Sequence, residues 1–433
     1  MKQSLYNTVL KISPDIQLVY NAFKDSFVSI FGESHFIENL FAENLNSDAI
    51  ALKSQLHDAG FLVDDDIDER KNLIKLNEEI ENDDTVFILH INPTLDCNFK
   101  CWYCYENHIH ESSMSDDCLE NIITLCKSIV IDTPQLKHFN LSFFGGEPLI
   151  ERLNVLKLID NISQICSNSD VMLNVSFTTN GYLIDDEFID RVAKSKPSFQ
   201  ITLDGGRLHH NANRHTADGE GSYDIILSNI KKLLRYGLRV ILRINYTTKN
   251  VDSLSDVIGF IESLSEEERE YITIDFQRVW QDKGSQTDAT YLIVKSIRRS
   301  LREKGYKTYN NRIINGVRNP CYGDMKNYVL INYNGDVFGC TARDFNSVNR
   351  LGHLTNEGIE WNGEKRLKRR ESKFKNSYCL GCSIAPICGA GCRQQTTDNS
   401  NMEGCMFRYT DDDKAEFVLE RFEERFINMK VEE

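Results

Sequence analysis

Asp96-Cys97-Asn98-Phe99-Lys100-Cys101-Trp102-Tyr103-Cys104 places three thiols at C-x3-C-x2-C spacing, just after the apolar run Val86-Phe87-Ile88-Leu89-His90-Ile91. Thiolates at this density hold a metal, and three rather than four leave one coordination position for something else. On a 4Fe–4S cluster, three cysteines leave one iron open to a substrate or cofactor. The alternative is a structural zinc knuckle with a distant fourth ligand. A second group is Gly145-Gly146-Glu147-Pro148. Its glycines let the backbone approach a ligand closely, and Glu147 can accept from an ammonium, although taken alone the tetrapeptide also reads as a simple turn. The third group is C-x13-G-x4-C, then C-x2-C-x5-C-x3-C, then a last cysteine: Cys321, Gly335, Cys340, Cys379, Cys382, Cys388, Cys392 and Cys405. Cys118, Cys126 and Cys166 have no ligand spacing and read as buried small hydrophobes.

The elements that must position these residues alternate strand and helix from Thr85 onward. Strand 86–92 runs into the cysteine loop, and an amphipathic helix follows at 116–131. Strand 139–144 ends at the Gly-Gly-Glu-Pro turn, and a helix follows at 151–167. Strand 172–178 ends at Thr179-Asn180-Gly181 before a helix at 185–195, and strand 199–203 ends at Asp204-Gly205 before a helix at 222–236. Strand 238–246, helix 252–264 and strand 272–279 complete the series. Repeated β-then-α units predict a parallel sheet curled into a partial (β/α)6 TIM-like barrel, with function at the C-terminal strand ends. The special residues lie at those ends. Whether Arg243 and Asn245 on the fifth strand face inward stays open at this stage. Asn334-Gly335 is a two-residue turn signal for a hairpin from 328–333 to 337–340, which brings Cys340 towards Cys321.

Residues 1–85 read as a separate small domain: two short strands, at 5–12 and 16–20, then helices at 24–32, 35–44 and 47–59. A hairpin with three helices predicts a winged-helix-like domain, and an acidic helical segment, 64–84, links it to the barrel. Its physical use would be strand addition, in which an extended peptide pairs with an exposed sheet edge. The plainer alternative is a cap on the barrel. The closing segment, 411–433, predicts a charged helix that covers the barrel's open edge.

The chain has 433 residues and a formal net charge of −15, which argues against nucleic acid as a partner. No apolar run approaches the roughly 18 residues of a membrane span, and the chain does not open on a signal peptide. A cytoplasmic protein without membrane contact is expected. In that compartment thirteen cysteines suggest metal or redox use rather than disulfides.

The cysteine loop, with Tyr103 before its last cysteine, resembles that of the radical S-adenosylmethionine enzymes. The resemblance covers about residues 86–410. It implies that Cys97, Cys101 and Cys104 hold a catalytic 4Fe–4S cluster. It also implies that Tyr103, Gly145, Gly146, Glu147, Pro148, Thr179, Asn180, Asp204 and Arg214 serve S-adenosylmethionine. Glu147 and its glycines would hold the methionine amino group, and the segment Ser176 to Gly181 would reach the ribose or carboxylate. In the run Asp204-Gly205, His209-His210 and Arg214, the arginine would pair the methionine carboxylate. The cofactor would be cleaved to methionine and a 5′-deoxyadenosyl radical, with electrons from an external low-potential donor. The cysteine-rich end resembles a SPASM extension with two auxiliary 4Fe–4S clusters, three clusters in all. Cys379, Cys382, Cys388 and Cys405 would hold one, and Cys321, Cys340 and Cys392 the other. For the latter's fourth ligand, Asp324 and an open iron are equal alternatives. Two zinc sites are the rival reading.

The front domain resembles the leader-recognition domain of peptide-modifying radical enzymes. The expected order is therefore 1–85 leader recognition, 86–310 radical barrel, 311–410 SPASM extension and 411–433 terminal helix. The expected substrate is a ribosomally made precursor peptide, bound by residues 1–85 and crosslinked through a thioether or carbon–carbon bond. Deleting residues 1–85 would then remove tight leader binding and leave uncoupled cofactor cleavage intact. An anaerobic sulfatase maturase, forming formylglycine, is the main rival. Thr341 stands where those enzymes carry an aspartate, and Asn327 where they carry an eighth extension cysteine. An epimerase would need a thiol donor from Cys118, Cys126 or Cys166. A non-catalytic zinc-stabilised peptide-binding module is the rival from another class.

Overall fold

The computed structural model describes residues 1–31, 47–282, 288–310, 316–399 and 403–431. By internal packing the chain forms two compact units: Met1–Asn82 with Asn311–Lys326 and Leu367–Glu433, and Asp83–Asn310 with Asn327–Arg366. The expected 311–410 segment is therefore shared between the two.

In the first unit, β1 (Lys2–Gln3) pairs with β5 (Leu62–Val63), and β2 (Asn7–Ser13), β3 (Ile16–Asn21) and β4 (Ser26–Phe31) form an antiparallel sheet in that order. The helix expected at 24–32 is strand β4 instead. Asp25 turns the chain with φ +54°, and Ser26 to Phe31 pair residue by residue with Asn21 to Ile16. Aromatic and β-branched residues in Phe27-Val28-Ser29-Ile30-Phe31 favour a strand once a partner is adjacent. The helix expected at 35–44 lies outside the described residues. Helices α1 (Ser47–Asp58) and α2 (Glu69–Glu81) follow, the latter capped by Asp68, which accepts from the Lys71 N–H. Val19, Ile30, Leu56, Phe61 and Leu62 form a small core within this segment, but its other apolar residues are buried with help from elsewhere. Tyr6, Tyr20 and Leu73 share one core with Phe374, Ile384, Ile387 and Val418 from the C-terminal third.

Among the described residues, the second unit is built on an eleven-stranded sheet. Its centre is β6 (Val86–Asn92), β7 (His138–Phe143), β8 (Met172–Thr179), β9 (Ser198–Leu203), β10 (Arg239–Tyr246) and β11 (Ile272–Arg278), all parallel and in sequence order. The six expected strands are thus the six observed, and the sheet is a partial barrel. Alternation sets the faces. Leu89, Ile91, Leu141, Phe143 and Phe177 enter the core, together with Ile122 and Val130 of α3 (Asp116–Asp132) and Val155, Leu158 and Ile162 of α4 (Arg152–Ser167). The sheet continues at both ends. β12 (Thr308–Tyr309) pairs parallel to β11, and β13 (Tyr328–Asn332) pairs parallel to β6. β13 leads through the Asn334-Gly335 turn to β14 (Asp336–Phe338), β15 (Gly352–Thr355) and β16 (Gly358–Trp361).

The terminal helix, Asp411–Val431, belongs to the first unit and packs on its sheet. Arg421 Nε donates to Asp25 Oδ1 at 2.8 Å, and the Phe422 ring meets Phe27 edge-on at 5.3 Å. The expected barrel cover is therefore a brace of the N-terminal sheet, chosen by this ion pair and ring contact.

Candidate active site

The cysteine loop after β6 and the turn after β7 fold onto each other. A side chain at Gly146 would place its Cβ 2.1 Å from the Asp96 carbonyl oxygen, and one at Gly145, where φ is +104°, 2.3 Å from that of Thr94. Glycine at both positions is required by the loop that carries the thiols. Glu147 is fully buried and accepts from Leu149 N, Asn180 N and Thr179 Oγ1 at 3.0, 2.7 and 2.8 Å. It therefore ties the end of β7 to the end of β8. Burial raises its carboxyl pKa, and the backbone donors and Thr179 act against that rise.

Cys97, Cys101 and Cys104 line one cavity with Tyr103, Gly145, Gly146, Thr179, Asn180 and Arg214, about 1000 Å³ of empty space partly open to solvent. Glu147, Pro148 and Asp204 stand behind this lining. Burial pushes the Cys97 thiol up to about 12, with Glu147 adding to the effect. A bound cation reverses that logic by stabilising thiolates.

Tyr103, between two of the cysteines, reaches across the cavity. Its hydroxyl donates to Asp204 Oδ2 at 2.5 Å and accepts from Arg214 Nη1 at 2.9 Å. Burial disfavours the Arg214 charge, but Tyr103, Cys101 and Asp204 around it more than offset this. Asp204 Oδ1 and Arg214 Nε are buried without a hydrogen-bond partner. An unused acceptor and an unused donor held by one tyrosine suit a ligand with both kinds of group, such as an amino acid or a ribose.

Arg243 and Asn245 both line the cavity, and Arg243 Nε donates to Asn245 Oδ1 at 3.1 Å. At the mouth, Tyr105 stacks on the exposed Trp280 with ring centroids 5.4 Å apart. Glu106 was not legible in the sequence as a site residue. It lines the cavity, its Oε1 has no partner, and burial pushes its carboxyl up to about 8. Cys118, Cys126 and Cys166 lie in the core on the two helices that follow β6 and β7, not among the cavity residues, so the epimerase reading lacks its thiol donor.

In the first unit, Cys379, Cys382, Cys388 and Cys405 line one apolar cavity with Tyr378 and Lys414 at its edge. Among the described residues, no three His, Cys, Asp or Glu side chains converge as ligands of a single ion. Thiols spread around a cavity wall suit a larger body, such as an iron–sulfur cluster. Cys321 and Cys392 also belong to this unit, and Cys340 to the other. Asp324 is committed elsewhere: Oδ2 accepts from Lys373 Nζ at 2.6 Å and Oδ1 from Arg393 Nε at 3.2 Å. Both cations also pair with Glu81, at 3.5 and 2.6 Å, and all four side chains are nearly buried. Asp324 is thus withdrawn from the expected alternatives for a cluster ligand. Asp324→Ala leaves two buried cations with one carboxylate, so a loss of about 3–5 kcal/mol is expected, read by thermal or urea unfolding. Iron per folded chain should stay at the wild-type value, and a selective loss of iron would restore Asp324 as a ligand.

Residues 91–264 match the radical SAM superfamily, and residues 321–383 match SPASM, an iron–sulfur cluster-binding domain. The chain is a radical SAM enzyme with a SPASM domain. The enzyme is 20% identical over 343 residues to a cysteine-type anaerobic sulfatase-maturating enzyme of Clostridium perfringens, covering 71% of this chain and 89% of that one. It is 21% identical over 421 residues to the radical SAM cyclopropyl synthase TigE of Paramaledivibacter caminithermalis, covering 90% and 85%. Its fold is that of Streptococcus suis SuiB, solved with the precursor peptide SuiA, with a TM-score of 0.54 at 16% identity over 93% of this chain and 98% of that one. Radical SAM and SPASM domains imply iron–sulfur clusters and S-adenosylmethionine, which the thiol-lined cavities and the unused polar atoms of Asp204 and Arg214 fit. No helix among the described residues is long and apolar enough to cross a membrane.

Proposed function

We propose that this enzyme modifies a ribosomally made precursor peptide in the cytoplasm, installing a thioether or carbon–carbon crosslink. Residues 1–85 would hold the leader, and the cavity at the strand ends would receive a core residue. The carrying observation is the antiparallel sheet at the front of the chain, whose strand β4 is an edge strand among the described residues. An edge strand offers backbone groups to an extended peptide. The likeness to SuiB and TigE also runs through this segment, spanning 93% and 90% of the chain, against 71% for the sulfatase-maturating enzyme.

In this reading Cys97, Cys101 and Cys104 hold the catalytic cluster, and Gly145, Gly146, Thr179, Asn180, Asp204 and Arg214 receive S-adenosylmethionine. When bound, the pair supplies a 5′-deoxyadenosyl radical, which takes hydrogen from an unactivated C–H bond. The chain contributes orientation and exclusion of water. Arg214, held by Tyr103, would pair a carboxylate, and Glu147 ties the ends of β7 and β8 together. Cys379, Cys382, Cys388 and Cys405 hold one auxiliary cluster and Cys321, Cys340 and Cys392 belong to the other, giving three. An external low-potential donor supplies electrons.

The second reading is formylglycine formation on a sulfatase, favoured by the 89% coverage of the sulfatase-maturating relative. Against it, Thr341 offers no carboxylate where those enzymes carry one. The two readings separate on substrate. A peptide encoded beside the gene should stimulate 5′-deoxyadenosine formation and slow amide hydrogen exchange in residues 26–31. Stimulation instead by a sulfatase-derived Cys or Ser peptide would select the second reading.

A further inference from the structure

Between Asp204 and Ser222, the buried residues Asp204, His210, Arg214 and Ser222 close a hydrogen-bonded circuit around the His210 ring. The Asp204 N–H donates to His210 Nδ1 at 3.3 Å, so the ring proton sits on Nε2. Nε2 lies 2.9 Å from Ser222 Oγ and donates to it, and that hydroxyl donates to the Arg214 carbonyl at 2.7 Å. The Arg214 N–H returns to the His210 carbonyl at 2.7 Å. His210 and Ser222 are both 0% exposed, whereas the adjacent His209 is exposed. Burial holds the His210 imidazole neutral, as this pattern of one donor and one acceptor requires.

Ser222 occupies the N-cap of the helix Tyr223–Arg235, yet its side chain makes no capping bond. An N-cap serine normally accepts from the first turn of its helix. Asn211 Oδ1 instead holds the start of the helix, accepting from Ser222 N and Tyr223 N at 3.0 Å each. The serine hydroxyl is thereby released for the link between His210 and Arg214. With both its N–H and its C=O held, Arg214 can place its guanidinium only by side-chain rotation, over the Phe99 ring and against Tyr103.

We propose that His210 and Ser222 are positioning residues of the S-adenosylmethionine site, setting the backbone of Arg214, which lines the cavity, and of Asp204, which is linked to the Arg214 guanidinium through the Tyr103 hydroxyl. The proposal rests on Arg214 as a cofactor contact. It goes beyond that reading by giving His210 and Ser222 a function without contact of their own.

The test uses reconstituted enzyme and equilibrium dialysis of S-adenosylmethionine without reductant. Ser222→Ala and His210→Phe should each weaken binding about tenfold, while Ser222→Thr, which keeps the hydroxyl, stays near wild type. In uncoupled 5′-deoxyadenosine formation, the loss should fall on KM rather than kcat, with iron content unchanged. Wild-type affinity in Ser222→Ala and His210→Phe, beside weakened binding in Arg214→Ala, would overturn the proposal and leave the cofactor site standing. Equal loss in Ser222→Thr and Ser222→Ala would also overturn it, because packing and not the hydroxyl would then be responsible. Wild-type affinity in Arg214→Ala would instead remove the reading on which it rests.

Discussion

Replacing Cys97, Cys101 and Cys104 together by alanine is expected to reduce dithionite-driven 5′-deoxyadenosine formation to background, while iron in the cysteine-rich end is kept. The three thiols line the same cavity as Arg214 and the Gly145–Gly146 backbone, so their metal would face the cofactor groups directly. Cys379, Cys382, Cys388 and Cys405 line a different cavity in the other unit and are untouched by the substitution. Iron and sulfide analysis beside cofactor cleavage gives the readout. Cleavage at the wild-type rate would remove these cysteines from the chemistry.

Removing residues 1–82 should abolish the fold of the first unit, not merely leader binding. Tyr6, Tyr20 and Leu73 are each 0% exposed in a core shared with Phe374, Ile384, Ile387 and Val418. Burying a large apolar side chain is worth about 1.5–3 kcal/mol, so losing three approaches the whole stability of a domain, about 5–15 kcal/mol. The truncated chain should precipitate or lose the iron bound by Cys379, Cys382, Cys388 and Cys405. This departs from the detachable front domain that the sequence suggests. Recovery of a soluble truncated enzyme with its full auxiliary iron would show that the shared core is dispensable.

The six barrel strands could be read from the chain because strand and helix patterns alternate along it, and the first four strands end at marked turns or loops. The cavity residues at those ends followed from the same pattern, as with Thr179-Asn180 and Asp204. Contacts between distant segments could not be read this way. The aromatic and β-branched residues of β4 permit a strand, but its pairing with β3 decides it. The charges of the terminal helix fit a surface cover equally well until Asp25 is placed against Arg421. Asp324 stands three residues from Cys321 and looks like a ligand, but Lys373 and Arg393 converge on it from far along the chain. Glu106 and Ser222 carry no motif at all. Glu106 stands out by a buried Oε1 without a partner, and Ser222 by an N-cap position at which its hydroxyl makes no capping bond.

The most direct measurement of the central claim follows hydrogen from the substrate. Reconstituted enzyme, S-adenosylmethionine, dithionite and a deuterated peptide encoded beside the gene are combined, and both products are weighed by mass spectrometry. Deuterium is expected in 5′-deoxyadenosine, beside a peptide that has lost two hydrogen atoms for each new bond. Unlabelled 5′-deoxyadenosine beside an unchanged peptide would contradict the central claim.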